Sequence, residues 1–264
     1  MSALTHCFVV PAYGKSPYLG DCLASLGRQS RPSRVVVFTS TPFEGMEEYV
    51  AKFGAELVCH GPNKGMANDW NYALRGVDAN WVTIAHQDDV YGRDFLARTL
   101  DGIDQYPDAK LVFTDYCERD ERGIRPVSLP LRVKQAIIRF ATMGGGVAAS
   151  PAAQANLLRF GCAIPCPSVT LRRQLAVGLG GFGTEYRVNM DWDFWLRIAD
   201  EPGGGFVHCR GVLMEHRIHK GSETTAGIAD GIRTAEDRSL FRRVWPTPIA
   251  DFLAFLYRLT YRYN

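Results

Sequence analysis

Long apolar runs are missing from this sequence. No segment approaches the ~18 uninterrupted apolar residues that span a bilayer, although 46% of the 264 residues are hydrophobic. The first residues also lack the charged leader and apolar stretch of a secretory signal. We therefore expect a protein that neither spans a membrane nor is exported by such a signal, with enough apolar residues for one large domain or two small ones.

A strong excess of one charge is absent too. The chain carries 30 basic and 28 acidic residues, a formal net charge of +2, so it lacks the global field typical of a nucleic-acid-binding protein. The cysteines are odd in number and scattered, at Cys7, Cys22, Cys59, Cys117, Cys162, Cys166 and Cys209. Cys162 and Cys166 lie four apart without a second pair, which argues against a zinc site. This usage predicts reduced, mostly buried thiols in a cytoplasmic protein.

Apolar runs alternate with helical periodicity through the first third of the chain. β-branched and aromatic runs predict strands, and three-four spacing predicts helices. The predicted strands cover 7–13, 34–39 and 57–60, and the predicted helices cover 18–26, 46–53 and 66–75. Such alternation favours a mostly parallel, doubly wound α/β sheet that binds ligands at the carboxyl edge of its strands.

A further apolar run, Trp81 to Ala85, leads to two adjacent carboxylates, Asp88 and Asp89. At the carboxyl edge of a parallel strand, paired carboxylates suit a hard divalent cation that carries substrate phosphates. The alternative from these residues alone is a capped strand end leading into a turn at Gly92.

Several motifs in order resemble one enzyme family. They are Phe8 to Tyr13, the helix from Tyr18 to Ser30, Asn63-x-Gly65 followed by Asn71, Gln87-Asp88-Asp89, Met190 to Arg197, and Arg217-Ile218-His219. Together they resemble family 2 glycosyltransferases, which are inverting enzymes with the GT-A fold. The resemblance covers most of the chain.

The resemblance implies a fold and a division of the chain. The expected fold class is α/β of the GT-A type. Its Rossmann-like sheet is mixed, mostly parallel and flanked by helices, and C-terminal acceptor-side segments and a terminal helix follow. The expected divisions are a nucleotide-sugar-binding half (1–115), an acceptor-side half of the same catalytic domain (116–245) and an amphipathic helix (246–264).

The resemblance also implies a donor site with Mn²⁺ or Mg²⁺. Asp89 and His219 are the expected metal ligands, with Asp88 on the nucleotide side or in the metal's water shell. The expected donor contacts are Pro11, Ala12, Tyr13, Thr39, Ser40, Asn63, Lys64, Gly65, Asn71, Gln87, Asp88 and Arg217. His216 and His219 lie three apart on a strand-like segment, hence on opposite faces, so we interpret His216 as structural.

Asp191 is the acid that the resemblance implies as the catalytic base. An inverting transfer needs a carboxylate to accept the proton of the acceptor hydroxyl. Relatives usually carry Glu-Asp where this chain has Met190-Asp191, so Asp193 is the competing candidate. The alternative for Asp191 is an N-cap, a role that aspartate fills well.

Two departures from the family affect donor recognition. Relatives carry acids after the second strand, where this chain has Thr39-Ser40. This difference allows hydroxyl groups to contact the donor nucleotide and allows a donor preference for thymidine over uridine. In relatives an Arg-Asn pair is common where this chain has Trp70-Asn71. Lys64 is the candidate to take over the phosphate contact of that arginine. The alternative is that Lys64 is a solvated loop lysine.

Two later segments bear on the acceptor. Residues 129–150 combine a basic helical stretch with Gly144-Gly145-Gly146, typical of either an acceptor-side loop or a linker, and 165–170 are predicted to return as a strand. The tail carries Phe252, Phe255, Leu256 and Leu259 on one stripe. This stripe suits peripheral contact with a membrane, or packing against its own domain or a second copy in a homodimer.

The expected function is metal-assisted transfer of a sugar from UDP or dTDP to a glycan or lipid-linked hydroxyl in bacterial surface polysaccharide assembly, at the inner face of the plasma membrane. Nucleic acid is not an expected partner. A nucleotidyltransferase is the first alternative, although Gly14-Lys15-Ser16 is slight for its phosphate loop. A non-catalytic sugar-nucleotide binder is the second.

Overall fold

The computed structural model describes residues 5–263. Residues 1–4 and 264, at the outer ends of the first and last predicted divisions, lie outside this range. The first part of the chain follows the predicted alternation closely. Its strands and helices are β1 (His6–Tyr13), α1 (Leu19–Gly27), β2 (Arg34–Thr41), α2 (Met46–Ala51), β3 (Glu56–Cys59), α3 (Met66–Arg75), β4 (Trp81–Ile84), β5 (Val90–Tyr91) and α4 (Phe95–Gln105).

The second part returns to the same sheet. Its elements are β6 (Leu111–Asp120), β7 (Gly123–Ile124), α5 (Leu129–Ala141), β8 (Val147–Ala148), α6 (Pro151–Leu158), β9 (Val169–Arg172), α7 (Arg173–Gly178), α8 (Met190–Asp200), β10 (Phe206–Arg217), α9 (Glu223–Ala229), α10 (Ile232–Val244) and α11 (Thr247–Arg258). The strand order is β3-β2-β1-β4-β9-β6-β10-β5, with β7 beside β6 and β8 beside β10. The predicted α/β class, a mixed and mostly parallel sheet flanked by helices, is confirmed.

Parallel pairs form both flanks of the sheet, and β9 joins them. β1 pairs in parallel with β2 and β4, and β10 pairs in parallel with β6. β9 runs antiparallel between β4 and β6. The two parts of the chain therefore share one continuous sheet, and the carboxyl ends of β1, β2 and β4 meet at one edge.

Each face of the sheet carries its own apolar core. In β1, Cys7 and Val9 belong to one buried cluster, whereas Phe8 and Val10 belong to the other. Successive side chains of a strand point to opposite faces of the sheet. A strand that is apolar at every position therefore needs helices on both faces of the sheet to cover it.

The predicted strand over 165–170 begins later than expected. A short 3₁₀ turn occupies Cys166–Ser168, and β9 starts at Val169. Pro165 and Pro167 have no backbone N–H to donate to a neighbouring strand, which explains the delay.

The tail helix α11 buries a different face from the predicted stripe. Ala250 and Ala254 face the interior, whereas Phe252 is 61% exposed and Phe255 is 51% exposed. The stripe therefore does not pack against its own domain. Among residues 5–263, no helix combines the length and apolar character needed to cross a membrane.

His6 gives the fold a testable pH dependence. Its Nδ1 lies 2.9 Å from Ser33 Oγ and its Nε2 lies 2.9 Å from Thr83 Oγ1, and burial lowers its pKa from 6.5 to about 3. Between these values the unfolded chain binds a proton that the folded protein does not. We predict that the free energy of unfolding falls as the pH drops from 6.5 towards 3, by up to about 1.4 kcal/mol per pH unit from this group.

Urea denaturation at a series of pH values measures this loss, with His6→Gln as the comparison because glutamine keeps polar atoms and does not titrate. The slope of unfolding free energy against pH should be shallower in the variant. Equal slopes in both proteins would contradict the prediction.

Candidate functional site

The carboxylate pair lies in the loop after β4, as predicted. The Asp89 side chain is wholly buried. Its Oδ1 accepts the backbone N–H of Arg217 at 2.8 Å and lies 3.1 Å from His216 Nδ1. Asp88 keeps some exposure, and its Oδ2 lies 2.8 Å from His219 Nε2. The loop is thus joined to the end of β10, more than 120 residues later in the chain.

Both histidines contact the carboxylate pair, so the expectation that strand alternation keeps them on opposite faces is wrong. His216 meets Asp89, and His219 meets Asp88. Strand alternation predicts opposite faces, but β10 ends at Arg217, so the chain turns before His219 and brings its ring back to the same loop.

His86 is a member of the site that sequence reasoning missed. Ligand atoms of His86, Asp88 and Asp89 all lie within 4.8 Å of one another. The Nε2 atom of His86 is buried without a hydrogen-bond partner among the described residues. Burial lowers the pKa of His86 against the opposing charges of Asp89 and Asp88, so the ring is neutral at pH 7. The sequence signal that could have identified His86 as a site residue is its position two residues before Asp88.

These three residues fit a divalent cation. Carboxylates and a neutral imidazole are donors that Mn²⁺ accepts, and an orphaned imidazole nitrogen is relieved by a ligand. Burial raises the pKa of Asp88, but the hydrogen bond from His219 and the charges of the surrounding histidines outweigh that and lower it. Asp88 is therefore ionised and partly open to solvent, whereas Asp89 lies behind it. His219 contacts Asp88 and lies outside the three-residue group.

Arg217 holds the loop in place. Its Nε donates to the backbone carbonyl of Asp88 at 2.8 Å, and its Nη2 donates to Asp21 at 3.1 Å. The guanidinium carbon lies 4.4 Å from the centre of the Tyr18 ring. These contacts fix α1 against the site, and a phosphate contact by Arg217 stays a prediction.

Asp191 lies in the first turn of α8, where Asn189 occupies the N-cap position. Its Oδ1 accepts the N–H of Trp192 at 2.7 Å, and its Oδ2 lies 3.8 Å from Cys162 Sγ. Burial raises the pKa of Asp191 against the lowering effects of the Trp192 N–H and the charges of Arg233, His86 and Lys134. The carboxyl group therefore has an increased affinity for a proton.

Asp193 has a different environment from Asp191. It forms ion pairs with Arg197, at 3.0 Å, and with Arg243. Because both of its oxygens are held by guanidinium groups, Asp193 stabilises the helix and its surroundings.

Several predicted donor residues gather at the ends of β1 and β2. The N–H of Tyr13 donates to Gln87 Oε1 at 3.1 Å, which ties β1 to the carboxylate loop. Tyr13 itself is 65% exposed. Pro11 and Ala12 precede it on β1, and Thr39 is buried on the neighbouring strand. Asn63 accepts the N–H of Gly65 through its side chain, and Lys64 is exposed beside them.

Ser40 meets an acid that the sequence pattern did not reveal. Its hydroxyl donates to Asp69 Oδ2 at 2.8 Å, and Asp69 Oδ1 lies 3.7 Å from His60 Nε2. The ring of His60 stacks on Tyr72, with centroids 4.1 Å apart. Helix α3 thus supplies a carboxylate at the end of β2, where the sequence itself has only hydroxyl groups.

Asn71 is joined to the loop before α8, and its predicted contact with the donor stays a prediction. Its amide donates to the carbonyl of Phe182 and accepts the N–H of Phe182, both at 2.7 Å. Gly181 precedes Phe182 with φ +76°, and a Cβ there would lie 2.0 Å from Asn71 Oδ1. Asn71 therefore positions the loop before α8.

Comparisons with known proteins bear on the fold and the family. An uncharacterized glycosyltransferase of Haemophilus influenzae is 21% identical over 200 residues, which is 74% of this chain and 62% of that protein. The S. aureus TarS 1-349 structure in complex with UDP-GlcNAc matches with a TM-score of 0.67 and 14% identity, covering 97% of this chain and 73% of TarS 1-349. A mannosyltransferase from Pyrobaculum calidifontis, in complex with GDP-Man and Mn²⁺, matches with a TM-score of 0.63 and 20% identity, over 96% of this chain and 69% of that one.

This chain covers only part of the proteins that it matches. This chain spans 62% of the Haemophilus relative and 44% of another TarS chain that it matches with a TM-score of 0.65. At such identities the solved structures show a common fold. The model of the family described as "Glycosyl transferase family 2" matches residues 7–157, which is more than half of the chain. The chain belongs to glycosyltransferase family 2.

Proposed function

We propose that this chain is an inverting glycosyltransferase that uses Mn²⁺ or Mg²⁺. It moves a sugar from a UDP or dTDP donor to a hydroxyl of a glycan or lipid-linked acceptor, in bacterial surface polysaccharide assembly. The observation that carries the proposal is the donor set of His86, Asp88 and Asp89 in the loop after β4, and the desolvated carboxyl group of Asp191 in the first turn of α8 supports it. The nucleotide-sugar complexes of the TarS and mannosyltransferase neighbours support a nucleoside-diphosphate sugar as donor.

The cation would be held by His86, Asp88 and Asp89. When bound, it neutralises the negative charge that develops on the departing diphosphate. Asp88 and His86 offer the accessible side of the group, and Asp89 lies behind them, tied to the backbone of Arg217. The sequence predicts Asp89 as a direct metal ligand, and we propose that Asp88 is a direct ligand as well. His219 orients Asp88 by the hydrogen bond between them.

Asp191 acts as the base. It removes the proton of the acceptor hydroxyl while that oxygen attacks the anomeric carbon and the bond from this carbon to the diphosphate oxygen breaks. The nucleoside diphosphate leaves with the bonding electrons, and the sugar is transferred with inverted configuration. Partial burial suits this role, because water is kept from the attacking position while the raised pKa favours proton uptake.

Donor binding is the first test of the proposal. A sugar nucleotide roughly a hundredfold above its Kd should raise Tm by about 5–10 °C for a chain of this size. We expect this rise with a UDP- or dTDP-sugar in the presence of Mn²⁺ and a much smaller one without it. A thermal-shift panel of UDP-, dTDP- and GDP-sugars with and without Mn²⁺ measures the effect.

Asp88→Asn should remove most of the dependence on Mn²⁺. The control is Asp104→Asn, because Asp104 is an exposed acid near the C-terminal end of α4. A panel in which no donor gives a metal-dependent shift would count against the proposed function.

Asp191→Asn is the test of the base. Loss of a general base lowers turnover by roughly 10²–10⁴-fold, and we expect that loss with unchanged donor affinity, because the amide keeps the size of the side chain. Radiolabelled sugar transfer and donor binding are measured on the same preparation. The matched control is Asp193→Asn, which should lower stability through loss of its arginine pairs and retain turnover per folded molecule. Transfer at the wild-type rate in Asp191→Asn would exclude this assignment.

The pH profile offers an independent check on Asp191. Burial raises its pKa above the ordinary 3.8, so the carboxylate is protonated at a higher pH than a solvated aspartate. We predict that kcat/KM falls as the pH drops through this raised value, since only the ionised form accepts the proton. The pH at which kcat/KM falls on the acid side of the profile should shift in Asp191→Glu. An acid limb at the pKa of an ordinary solvated aspartate in the wild-type protein would contradict the prediction.

A further inference from the structure

One side of the terminal helix is apolar and open to solvent. It runs along α11 and the 3₁₀ turn that continues it, Leu259–Tyr263. The side chains that form it recur at three- and four-residue spacing, so they are neighbours over about 15 Å of the helix. We call them the apolar face, and their exposed fractions lie between 42% and 61%: Ile249, Phe252, Phe255, Leu256 and Leu259. A contiguous apolar surface on a folded domain commonly marks a place that binds a partner or a membrane.

The protein itself occupies the opposite side of α11. Ala250 and Ala254 are buried there. The centre of the Tyr257 ring lies 5.8 Å from that of Phe241 on α10 and 6.1 Å from that of Trp192 on α8. The helix could turn its apolar face inward only by giving up these contacts. Whatever covers the apolar face therefore comes from outside residues 5–263.

Arginines lie along one flank of the apolar face. Arg258 and Arg262 are both exposed, and neither forms an ion pair among residues 5–263. The guanidinium carbon of Arg258 lies 5.9 Å from the centre of the Phe255 ring, so its charge is carried at the border of the apolar side chains. This flank is therefore positive where it meets the apolar face.

The acid on the same flank is already neutralised. Asp251 is the single acidic side chain of residues 245–264, and it lies two helical turns before Arg258. Arg238 donates to its two oxygens at 2.7 and 2.6 Å, and Arg242 donates to them at 3.0 and 3.1 Å. Two guanidinium groups on one carboxylate leave a net positive charge, so Asp251 does not offset the arginines further along the helix.

A second copy of the chain does not complement this surface. In a symmetric dimer each copy meets the same surface of its partner. Contact through the apolar face would gather the arginines of both copies, with no unpaired carboxylate among residues 245–263 to balance them. A bilayer with anionic lipids supplies both missing parts, because its acyl chains receive apolar side chains and its headgroups carry negative charge.

We propose that α11 docks on an anionic membrane surface, with the apolar face inserted between the headgroups and with Arg258 and Arg262 among the lipid phosphates. Docking itself needs no transfer activity, whereas its consequence, a lipid-linked acceptor in place of a soluble one, rests on the proposed function. The ring contact between Tyr257 and Trp192 places α8, the helix that carries Asp191, directly behind the docked helix.

Vesicle sedimentation tests the docking with the full chain and without donor or metal. We expect binding to phosphatidylcholine vesicles that contain phosphatidylglycerol, much weaker binding to phosphatidylcholine alone, and a loss of binding as salt is raised. Phe252→Ala combined with Phe255→Ala should weaken binding about 10-fold or more, because two rings no longer enter the bilayer. Arg258→Gln combined with Arg262→Gln should weaken it about fivefold for each arginine removed.

Two exposed residues elsewhere in the protein provide the controls. Val212→Ala shortens an apolar side chain of β10 that is 58% exposed. Arg31→Gln removes the charge of an exposed arginine between α1 and β2. Each should change vesicle binding less than twofold. Every substituted side chain is exposed, so the variants should fold, and thermal denaturation checks that they do.

The inference is overturned if the wild-type protein does not bind the anionic vesicles, or if either double variant retains wild-type binding. A dimer in sedimentation velocity that the Phe252→Ala, Phe255→Ala protein loses would also overturn it, because a second copy would then cover the apolar face. Donor binding is measured on the same preparations. Failure to dock with normal donor binding leaves the proposed function standing, and docking without any donor binding counts against the proposed function alone.

Discussion

The buried carboxylate of Asp89 is the contact on which the site depends. It accepts the backbone N–H of Arg217 and meets His216, so the loop after β4 is fastened to the end of β10. An unpaired buried carboxylate would be costly, and these partners make its burial tolerable. Because Asp89 is fixed, its neighbour Asp88 is held at the accessible side beside His86, and His219 is brought within reach of it.

Environment, rather than residue type, separates the acids of this protein. Asp191 and Asp193 lie two residues apart on α8, yet among residues 5–263 Asp191 is desolvated and forms no ion pair, whereas Asp193 is held by two arginines. Asp69 joins Ser40 at the end of β2. Three aspartates with the same solution chemistry thus acquire different environments through burial and partners.

The sequence predicts the first half of the fold well because its signals are local. Periodicity in β1, α1, β2 and α3 follows from which face each element buries, and the two carboxylates end a strand in a way that any reader of the chain can see. Residues that meet only in the folded protein were harder to assign. His216 was set aside because strand alternation separates it from His219, and nothing local reveals that β10 ends between them. Asn71 was expected at the donor, but its partner Phe182 lies 111 residues away. Asp69 and His86 escaped notice for the same reason, since their roles depend on neighbours from other elements.

The position of β9 has a consequence for how the catalytic unit can be divided. The family match ends at residue 157, but β9 follows it and pairs with both β4 and β6. A fragment ending at that boundary would expose the edge of β4 and leave the Asn71 amide without Phe182. It would also remove the Arg217 N–H from Asp89. The stretch that the family model recognises is therefore smaller than the unit that folds.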